Sequence, residues 1–247
     1  MGSSVLNGIR VNMIYSACIT IETPDCKILC DPWFTDGIFD GAWYLYSNNK
    51  DPFSAIGDCD YIYISHIHSD HYDPIFLRKY FEKFGEKLLV IGDFQSNYLE
   101  KSIQHDGFKH QVNTGPLKLG QTVISVFPHE TGSPSDIDSA CLVEYFAEDR
   151  VHRVLNINDC IFDPVFLSNF SKFGQLDILL LSYTGAGPYP QTYFELDDPE
   201  LLVAAKSKKS QFIEQYLKIA ELVPAKVRIP FAGQYLLGGK LSHLNSY

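Results

Sequence analysis

Long apolar runs, basic blocks and a leader segment are all missing from this sequence of 247 residues. No apolar run approaches the roughly 20 residues that a membrane helix needs, so we expect no membrane partner. No basic-then-apolar leader opens the chain, which favours a cytoplasmic protein. The longest basic patch is Lys206-Ser207-Lys208-Lys209, and the net charge is -10. This acidic balance predicts no nucleic-acid partner, because backbone binding depends on neutralising phosphates.

Cysteine is present, but not in the pairs that are typical of redox or structural metal sites. The six cysteines contain no C-x-x-C pair, and several lie within apolar, strand-like runs. A free cysteine in such a run packs as a small buried hydrophobe. Reduced thiols are the simplest interpretation, and they are typical of the cytoplasm.

Several catalytic motifs are missing as well. Ser65 and Ser69 lack the G-x-S-x-G context, which disfavours a serine nucleophile. No G-x-G-x-x-G or phosphate-binding loop follows a strand, and the glycine-rich segment 185–188 ends in proline and predicts a loop. The remaining composition, 45% hydrophobic and 20% charged, is that of an ordinary globular protein. We expect a single domain over residues 1–247.

Short apolar strands alternate with helices along the chain, which predicts two sheets flanked by helices. Residues 35–58 are rich in Gly, Asn, Asp and aromatics and predict a long loop. Three of the helices are expected to begin at an Asp-Pro pair, because proline is favoured in the first helical turn. The predicted strands are 9–15, 18–21, 27–30, 61–65, 88–91, 121–127, 140–146, 151–157, 177–183 and 226–231. The predicted helices are 74–84, 96–103, 164–173 and 199–223.

The most informative stretch is 61–73, where H-x-H-x-D-H directly follows a predicted strand. Imidazole and carboxylate are the ligands of zinc, manganese and iron in proteins. Residues two apart in an extended segment share a face, so His66 and His68 are expected to point at one metal. A tight bend after His68 would bring Asp70 and His71 over a neighbouring position, enough for a second ion. A polar turn after a buried strand explains one or two of these residues, but not four.

Two more candidate ligands follow predicted strands. His129 would complete a three-histidine set and leave a coordination position open, as a catalytic metal requires; the alternative is an ordinary loop histidine. Asp159 would bridge to the second metal, so that a hydroxide between two ions about 3.5–4 Å apart becomes a nucleophile; the alternative is a turn cap. Asp31 ends another strand, where it either orients a metal-bound histidine through a hydrogen bond or only forms an Asp-Pro turn.

This pattern resembles the metallo-β-lactamase-fold superfamily over essentially the whole chain. The resemblance implies an α+β fold, a four-layer αββα sandwich with the metals at one edge between the sheets. It implies one metal bound by His66, His68 and His129, a second bound by Asp70 and His71, Asp159 as the bridge, and Asp31 as the partner of a ligand. A narrower branch, the ascorbate-lactonase-like proteins and the catalytic region of CMP-N-acetylneuraminate hydroxylases, is similar in four segments. These segments are 31–34, 65–74, 185–190 and 230–233.

The sequence departs from the superfamily in three ways. A late histidine is usual just after the final strand, but 229–233 reads Ile-Pro-Phe-Ala-Gly. His243 follows ten residues later, either as the substitute ligand or as a surface histidine. The chain ends at Tyr247, consistent with the loss of a C-terminal extension that larger relatives carry. No cysteine is followed by histidine at one or two residues' remove, so the chain itself holds no Rieske cluster.

We therefore expect a metal-dependent hydrolase of a small polar or anionic metabolite, with zinc as the favoured ion and manganese or iron as alternatives. Asp70 is the candidate general base. The alternative is an iron-dependent oxidase or hydroxylase on the same ligands, because histidine and carboxylate suit iron as well as zinc. A non-catalytic member of the fold is a third class. A small-molecule substrate is the expected partner, and the sequence leaves open whether the chain forms a homo-oligomer.

Overall fold

Two six-stranded sheets form the centre of the molecule. The computed structural model describes residues 8–46, 51–129, 138–185, 189–190, 192–195, 197–233 and 235–246. The strands of the first sheet are β1 (Arg10–Tyr15), β2 (Cys18–Glu22), β3 (Lys27–Cys30), β5 (Tyr61–Tyr63), β6 (Leu88–Gly92) and β7 (His110–Asn113), in that order across the sheet. Those of the second are β13 (Ala225–Phe231), β12 (Leu176–Ser182), β11 (Val151–Asn158), β10 (Asp138–Phe146), β9 (Thr122–His129) and β8 (Leu117–Leu119). A small ribbon pairs β4 (Trp43–Tyr44) with β14 (Leu236–Leu237).

Helices cover the outer faces of both sheets, except for the short first helix, which contributes no buried residue. They are α1 (Ile38–Gly41), α2 (Pro52–Ile56), α3 (Pro74–Phe84), α4 (Tyr98–Asp106), α5 (Pro164–Ser168) and α6 (Pro199–Leu222), with 3₁₀ turns at Ser171–Phe173 and Gly239–Ser246. The helices α2, α3, α5 and α6 each begin with proline after an aspartate whose carboxylate accepts backbone N–H bonds of the first turn. Aspartate at this position satisfies donors that have no partner within the helix.

Three apolar clusters separate these layers. The cluster between the sheets includes Ile19, Ile28 and Val143, all with almost no exposed surface. A second cluster packs the first sheet against α3 and α4, and a third packs the second sheet against α5 and α6. The order of layers is helix, sheet, sheet, helix, which confirms the predicted αββα sandwich.

Strand direction places many of the polar loops along one edge. In the first sheet β3, β5, β6 and β7 are parallel. In the second sheet β11, β12 and β13 are parallel, and β9 shares their direction because β9 and β11 are both antiparallel to β10. Loops that follow parallel strands meet at one edge of a sheet, and binding residues are common there.

The prediction of elements was wrong in detail at several places. The segment 35–58, predicted as loop, contains α1, β4 and α2. The strands β7, β8 and β14 were not predicted, since they are short and lack a clear apolar alternation. The helix predicted over 164–173 breaks after Ser168. There Ser168 Oγ and Asn169 Nδ2 donate hydrogen bonds to carbonyls three residues back, and such bonds compete with a continuing helix.

No helix in the described ranges combines the length and the apolar composition that crossing a bilayer requires.

Candidate metal centre

The loop that follows β5 carries the H-x-H-x-D-H residues. The sequence predicted an extended segment at His66 and His68, but this prediction was wrong, because β5 ends at Tyr63. A turn follows His68, whose carbonyl accepts the N–H of His71 at 2.9 Å and that of Tyr72 at 2.8 Å. Asp73 then begins α3 and also accepts the N–H of Phe34 at 3.0 Å. The loop is thereby held at both ends, and the bend after His68 lies where the sequence placed it.

His66 and His68 form the first group of donor atoms. His66 Nε2 lies 2.8 Å from His68 Nδ1. Two nitrogen ligands of a tetrahedral ion with bonds of 2.0–2.1 Å are about 3.3 Å apart, so this separation is close to that of a shared metal. The other nitrogen of His66, Nδ1, lies 2.9 Å from Ser65 Oγ and 3.3 Å from Asp138 Oδ1. Burial, with smaller effects from the neighbouring histidines, holds the pKa of His66 well below its usual value and favours the neutral, metal-binding form.

His71 forms the second group with two carboxylates. Its Nε2 lies 3.4 Å from Asp70 Oδ2 and 3.4 Å from Asp159 Oδ2. These separations are long for hydrogen bonds but ordinary for atoms that share one ion. Burial lowers the pKa of His71, but Asp70, Asp159 and Asp31 outweigh it and hold that pKa well above its usual value. The carboxylates therefore stabilise a positive charge here, and binding of a cation would release the His71 proton.

Asp31 holds the other side of this group from the end of β3. Its Oδ1 accepts the N–H of Ser65 at 2.8 Å, and its Oδ2 accepts a bond from Asn158 Nδ2 and lies 3.4 Å from His71 Nδ1. Asp31 has a φ of 43° and Asn158 a φ of 56°, which is the left-handed region that non-glycine residues rarely adopt. Such strain costs of order 1–3 kcal/mol and persists where the surroundings fix it. Asp31 thus contacts His71, and its role as the partner of a metal-bound histidine stays a prediction.

His129 ends β9 directly opposite Asp138 of β10. Directly opposite side chains in an antiparallel pair share a face, so His129 lies beside the carboxylate that contacts His66. The ring stacks on Phe166 with centroids 4.3 Å apart and is almost fully buried, with 2% of its surface exposed. Its Nε2 has no hydrogen-bond partner in the described chain, although Asp163 Oδ2 lies 3.4 Å away.

The donor atoms fit a metal ion. Asp70 Oδ1, Asp159 Oδ1 and His129 Nε2 are buried without a hydrogen-bond partner among the described residues. A buried polar atom without a partner costs about 1–3 kcal/mol, so the two carboxylate oxygens, which belong to the residues beside His71, require an explanation that a bound cation would supply. Ligand atoms of His66, His71 and Asp159 lie within 4.8 Å of one another, which joins the two donor groups into one candidate metal site.

His243 is placed differently from the other predicted ligands. It lies in the 3₁₀ turn Gly239–Ser246, and its side chain is exposed, whereas the 4.8 Å group consists of His66, His71 and Asp159 and includes neither His243 nor His68, Asp70 or His129. A role for His243 as a ligand stays a prediction. Tyr235 follows the segment 229–233, in which the late histidine was expected. Burial raises the pKa of the Tyr235 hydroxyl, and the Asp70 carboxylate raises it further.

An aromatic wall joins Tyr235 to the first donor group. Tyr235 stacks on Trp43 with ring centroids 3.6 Å apart and 4° between the planes. Trp43 contacts Phe39 at 5.0 Å, and Phe39 lies edge-on to His68 at 6.3 Å. Trp33 lies 6.3 Å from Trp43, measured between ring centroids, but belongs to the core, with 1% of its surface exposed.

Sequence reasoning missed Ser65, Asp138, Asn158 and Tyr235. Asn158 was within reach, because it precedes Asp159 at a strand end. Asp138 and Tyr235 carry no local signal, since each reaches the site only through the packing of distant segments. The predicted segment 185–190 lies partly outside the described residues, because 186–188 are not described.

Comparison with known proteins gives relatives over most of the chain. No protein-family model matches. A Mycolicibacterium smegmatis protein, provisionally named a Rieske 2Fe-2S iron–sulfur protein, is 33% identical over 196 residues, 74% of this chain and 36% of that protein. A protein of the same name from Mycobacterium tuberculosis is 30% identical over 96% of this chain and 46% of its own length. The cytidine monophosphate-N-acetylneuraminic acid hydroxylase of Danio rerio is 25% identical over 92% of this chain and 38% of its length. The chain thus spans less than half the length of these relatives.

Solved structures show the same fold. CmlA, a diiron beta-hydroxylase from Streptomyces venezuelae, has a TM-score of 0.63 at 16% identity, over 92% of this chain and 45% of that chain. A Veillonella parvula protein provisionally described as a metal-dependent hydrolase has a TM-score of 0.56 at 12% identity, over 94% and 99%. The metallo-beta-lactamase fold protein YhfI from Bacillus subtilis has a TM-score of 0.50 at 13% identity, over 95% and 98%.

This chain has the metallo-β-lactamase fold, which it shares with these solved structures. The similar proteins include a CMP-N-acetylneuraminate hydroxylase, which is the resemblance that the sequence motifs indicated. Hydrolases and hydroxylases both occur among the similar proteins.

Proposed function

We propose that the chain is a metal-dependent hydrolase that acts on a small polar or anionic molecule. The observation that carries this proposal is the pair of 3.4 Å separations that join His71 Nε2 to Asp70 Oδ2 and to Asp159 Oδ2. The other oxygen of each carboxylate, Oδ1, is buried without a hydrogen-bond partner among the described residues. Donor atoms at this spacing suit a divalent cation better than they suit one another.

The ligands divide into two sets under this proposal. His66, His68 and His129 would hold one ion, Asp70 and His71 the other, and Asp159 would bridge them. Bound metal would lower the pKa of water to about 7 and polarise the scissile ester, lactone, amide or phosphodiester oxygen.

The protein's own groups would orient the ligands and accept a proton. Ser65 and Asp138 fix the ring of His66 through Nδ1, and Asp31 fixes that of His71. Burial raises the pKa of Asp70, but His71 outweighs it and holds the pKa below its usual value, so the carboxylate is ionised at neutral pH. An ionised Asp70 is able to take a proton from the attacking water, which is the role of a general base.

The proposal is tested by His68→Ala in a screen of lactones, phosphodiesters and nucleotide sugars with zinc, manganese and iron varied. We expect turnover of one class by the wild type, and loss of turnover together with a lower metal content in the variant. The matched control is His105→Ala, which changes a histidine in the last turn of α4 and is expected to retain both. Retained turnover in His68→Ala would contradict a metal-centred reaction.

A second candidate is an iron-dependent oxidase or hydroxylase on the same ligands. Two observations favour it: the Danio rerio relative is named a hydroxylase and matches 92% of this chain, and CmlA is a diiron beta-hydroxylase of the same fold. The ion in protein purified without added metal separates the two candidates. Zinc or manganese supports hydrolysis, whereas iron with an absorption spectrum that changes on reduction supports oxygen chemistry.

The expectations about location and partners stay proposals. We propose a cytoplasmic, single-domain protein with a small-molecule substrate and no nucleic-acid or membrane partner.

A further inference from the structure

A cavity of about 570 Å³ lies between α6 and the loops that follow β12 and β13. We call it the α6 cavity. Its walls include the rings of Tyr183, Tyr189, Phe212 and Tyr235. An added Cβ at Gly185 would lie 2.6 Å from the Phe212 ring, so only glycine permits this close approach of ring and loop. Cavities of this size with predominantly apolar walls are typical of small-molecule sites.

The α6 cavity and the metal centre lie at the same edge of the second sheet. The parallel strands β11, β12 and β13 all end there, with Asn158 opposite Leu181 and Ser182 opposite Phe231. Asp159 follows the first of these strands, and the cavity walls follow the other two. Tyr235 belongs to both places, because it lines the cavity and also stacks on Trp43 in the aromatic wall that reaches His68.

Positive charge is concentrated at this cavity in an acidic protein. Lys206, Lys208 and Lys209 line it, although the chain as a whole has a net charge of -10. No described carboxylate forms an ion pair with any of the three. Lys208 Nζ lies 4.8 Å from the centre of the Phe212 ring, which keeps the ammonium group against the aromatic wall. Unpaired ammonium groups beside aromatic rings favour a ligand that is both flat and anionic.

A second cavity of about 490 Å³ lies on the opposite flank, beside His129. Its walls carry the carboxylates of Asp93 and Asp163 and no lysine or arginine among the described lining residues. Like charges repel an anion, so this second cavity is a poor place for one. The contrast assigns the anionic end of a substrate to the α6 cavity.

We propose that the α6 cavity binds the non-reacting part of the substrate, and that this part is an aromatic or similarly flat apolar body bearing a phosphate or carboxylate group. The rings would contact the body, and Lys206, Lys208 and Lys209 would bind the anion. The inference rests on the proposed function, because it assumes that the reacting bond lies at the metal centre. It narrows the substrate class from small polar molecules to aromatic anions.

Phenylphosphonate, which has no hydrolysable bond, tests this proposal in the purified full-length protein. Its affinity is measured by calorimetry beside that of benzoate, methylphosphonate and benzyl alcohol, which separate the phosphate, carboxylate and aromatic contributions. We expect phenylphosphonate or benzoate to bind more tightly than either methylphosphonate or benzyl alcohol. Equal affinity for all four probes would overturn the proposal.

The variant Lys208→Gln/Lys209→Gln removes two of the three ammonium groups without altering the metal ligands. We expect it to weaken the preferred aromatic anion about tenfold, equivalent to about 1.4 kcal/mol, and to leave benzyl alcohol unchanged. The matched control is Lys218→Gln, an exposed lysine of the same helix outside the cavity, which should change the affinity less than twofold. An unchanged affinity in the double variant would overturn the proposal.

Metal content, measured for every variant, distinguishes the two possible failures. If the affinity for the probes depends on the metal content and is unchanged by the lysine substitutions, the α6 cavity is not the anion site, and the proposed function is unaffected. Lysine-dependent binding in a protein without metal or turnover would instead remove the proposed function and support the cavity as a binding site. Ala205→Trp, which fills the cavity, is expected to weaken phenylphosphonate and benzyl alcohol alike, and retained binding of both would overturn the assignment.

Discussion

Asp31 shows how one buried side chain organises the candidate metal centre. Each of its contacts comes from a donor: the N–H of Ser65, the amide of Asn158 and the ring of His71. It is fully buried, and its backbone is held at a positive φ. The sequence predicted that Asp31 partners a ligand or forms a turn, but it did not predict which histidine. That choice depends on β3 and β5 lying side by side, which is a property of the fold and not of the local sequence.

The variant Asp31→Asn is expected to weaken metal binding about 10–100-fold, which is the usual cost of losing the partner of a metal-bound histidine. Asparagine has one acceptor oxygen where Asp31 uses two, so its amide group would face a donor. Competition with a chelating dye measures the affinity. The control is Asp60→Asn, which also alters a carboxylate that accepts a backbone N–H, at 2.7 Å, but at an exposed position. Equal metal affinity in the two variants would contradict the role of Asp31.

At the scale of elements, Asp-Pro pairs predicted the starts of helices correctly. Three helix starts were predicted from them, at Asp73, Asp163 and Asp198, and the structure confirms all three. The signal is local, because an aspartate cap and a proline in the first turn act within four residues. Helix ends and short strands such as β7 were harder, since packing against neighbouring strands decides them.

Asp73 is the cap with the most contacts. Its carboxylate accepts the N–H of Phe76 at 2.9 Å, that of Phe34 at 3.0 Å and the hydroxyl of Thr35 at 2.9 Å, and only 3% of the residue is exposed. Asp73→Ala is expected to lower the free energy of unfolding by about 3 kcal/mol, because buried donors lose their acceptor.

Urea denaturation measures this loss, with Asp51→Ala as the control. Asp51 caps α2 in the same Asp-Pro context but at the exposed surface, where water replaces the lost acceptor. Its loss should be clearly smaller, and equal losses would contradict the account.

Asp177 at the start of β12 predicts a pH-dependent contribution to stability. Burial raises its pKa, but bonds from Lys226 Nζ at 2.8 Å, Arg153 N at 2.9 Å and Arg150 Nη2 at 3.2 Å outweigh burial and lower it. The contribution is therefore present above the unfolded-state pKa of about 3.9 and is lost as the pH falls through the folded-state value.

We expect Asp177→Asn to cost about 1 kcal/mol at pH 7, a modest value because the carboxylate is partly exposed. The difference from the wild type should shrink below about pH 4. Urea denaturation at pH 7, 5 and 3 measures it. A difference that stays constant across this range would show that the carboxylate charge is not the cause.

At the scale of the whole molecule, the two sheets bring together residues that are far apart in the sequence. Asp31 and the H-x-H-x-D-H loop come from the first sheet, whereas His129 and Asp159 come from the second. The H-x-H-x-D-H motif and the resemblance that it carries were enough to predict the αββα sandwich and these strand-end positions. They did not predict Asp138 or the aromatic wall at Tyr235, because those contacts depend on loop packing. Whether His243 is a ligand stays a prediction.

Metal binding should stabilise the whole fold, because a ligand that binds only the folded state adds about 2.7 kcal/mol at 100 times its Kd. For a protein of this size, we expect a chelator to lower Tm by about 5–10 °C relative to zinc at that concentration. Differential scanning calorimetry measures the shift, and His71→Ala should lose most of it. A wild-type Tm that is unchanged by both zinc and chelator would contradict a metal site in the folded protein.

The most direct test is the metal content of the purified wild-type protein and of His71→Ala, measured by inductively coupled plasma mass spectrometry. The account predicts between one and two equivalents of zinc, manganese or iron in the wild type. It predicts a loss of about one equivalent in the variant, because His71 is the donor that faces both Asp70 and Asp159. A folded wild-type protein that binds none of these metals, even when they are supplied, would contradict the account.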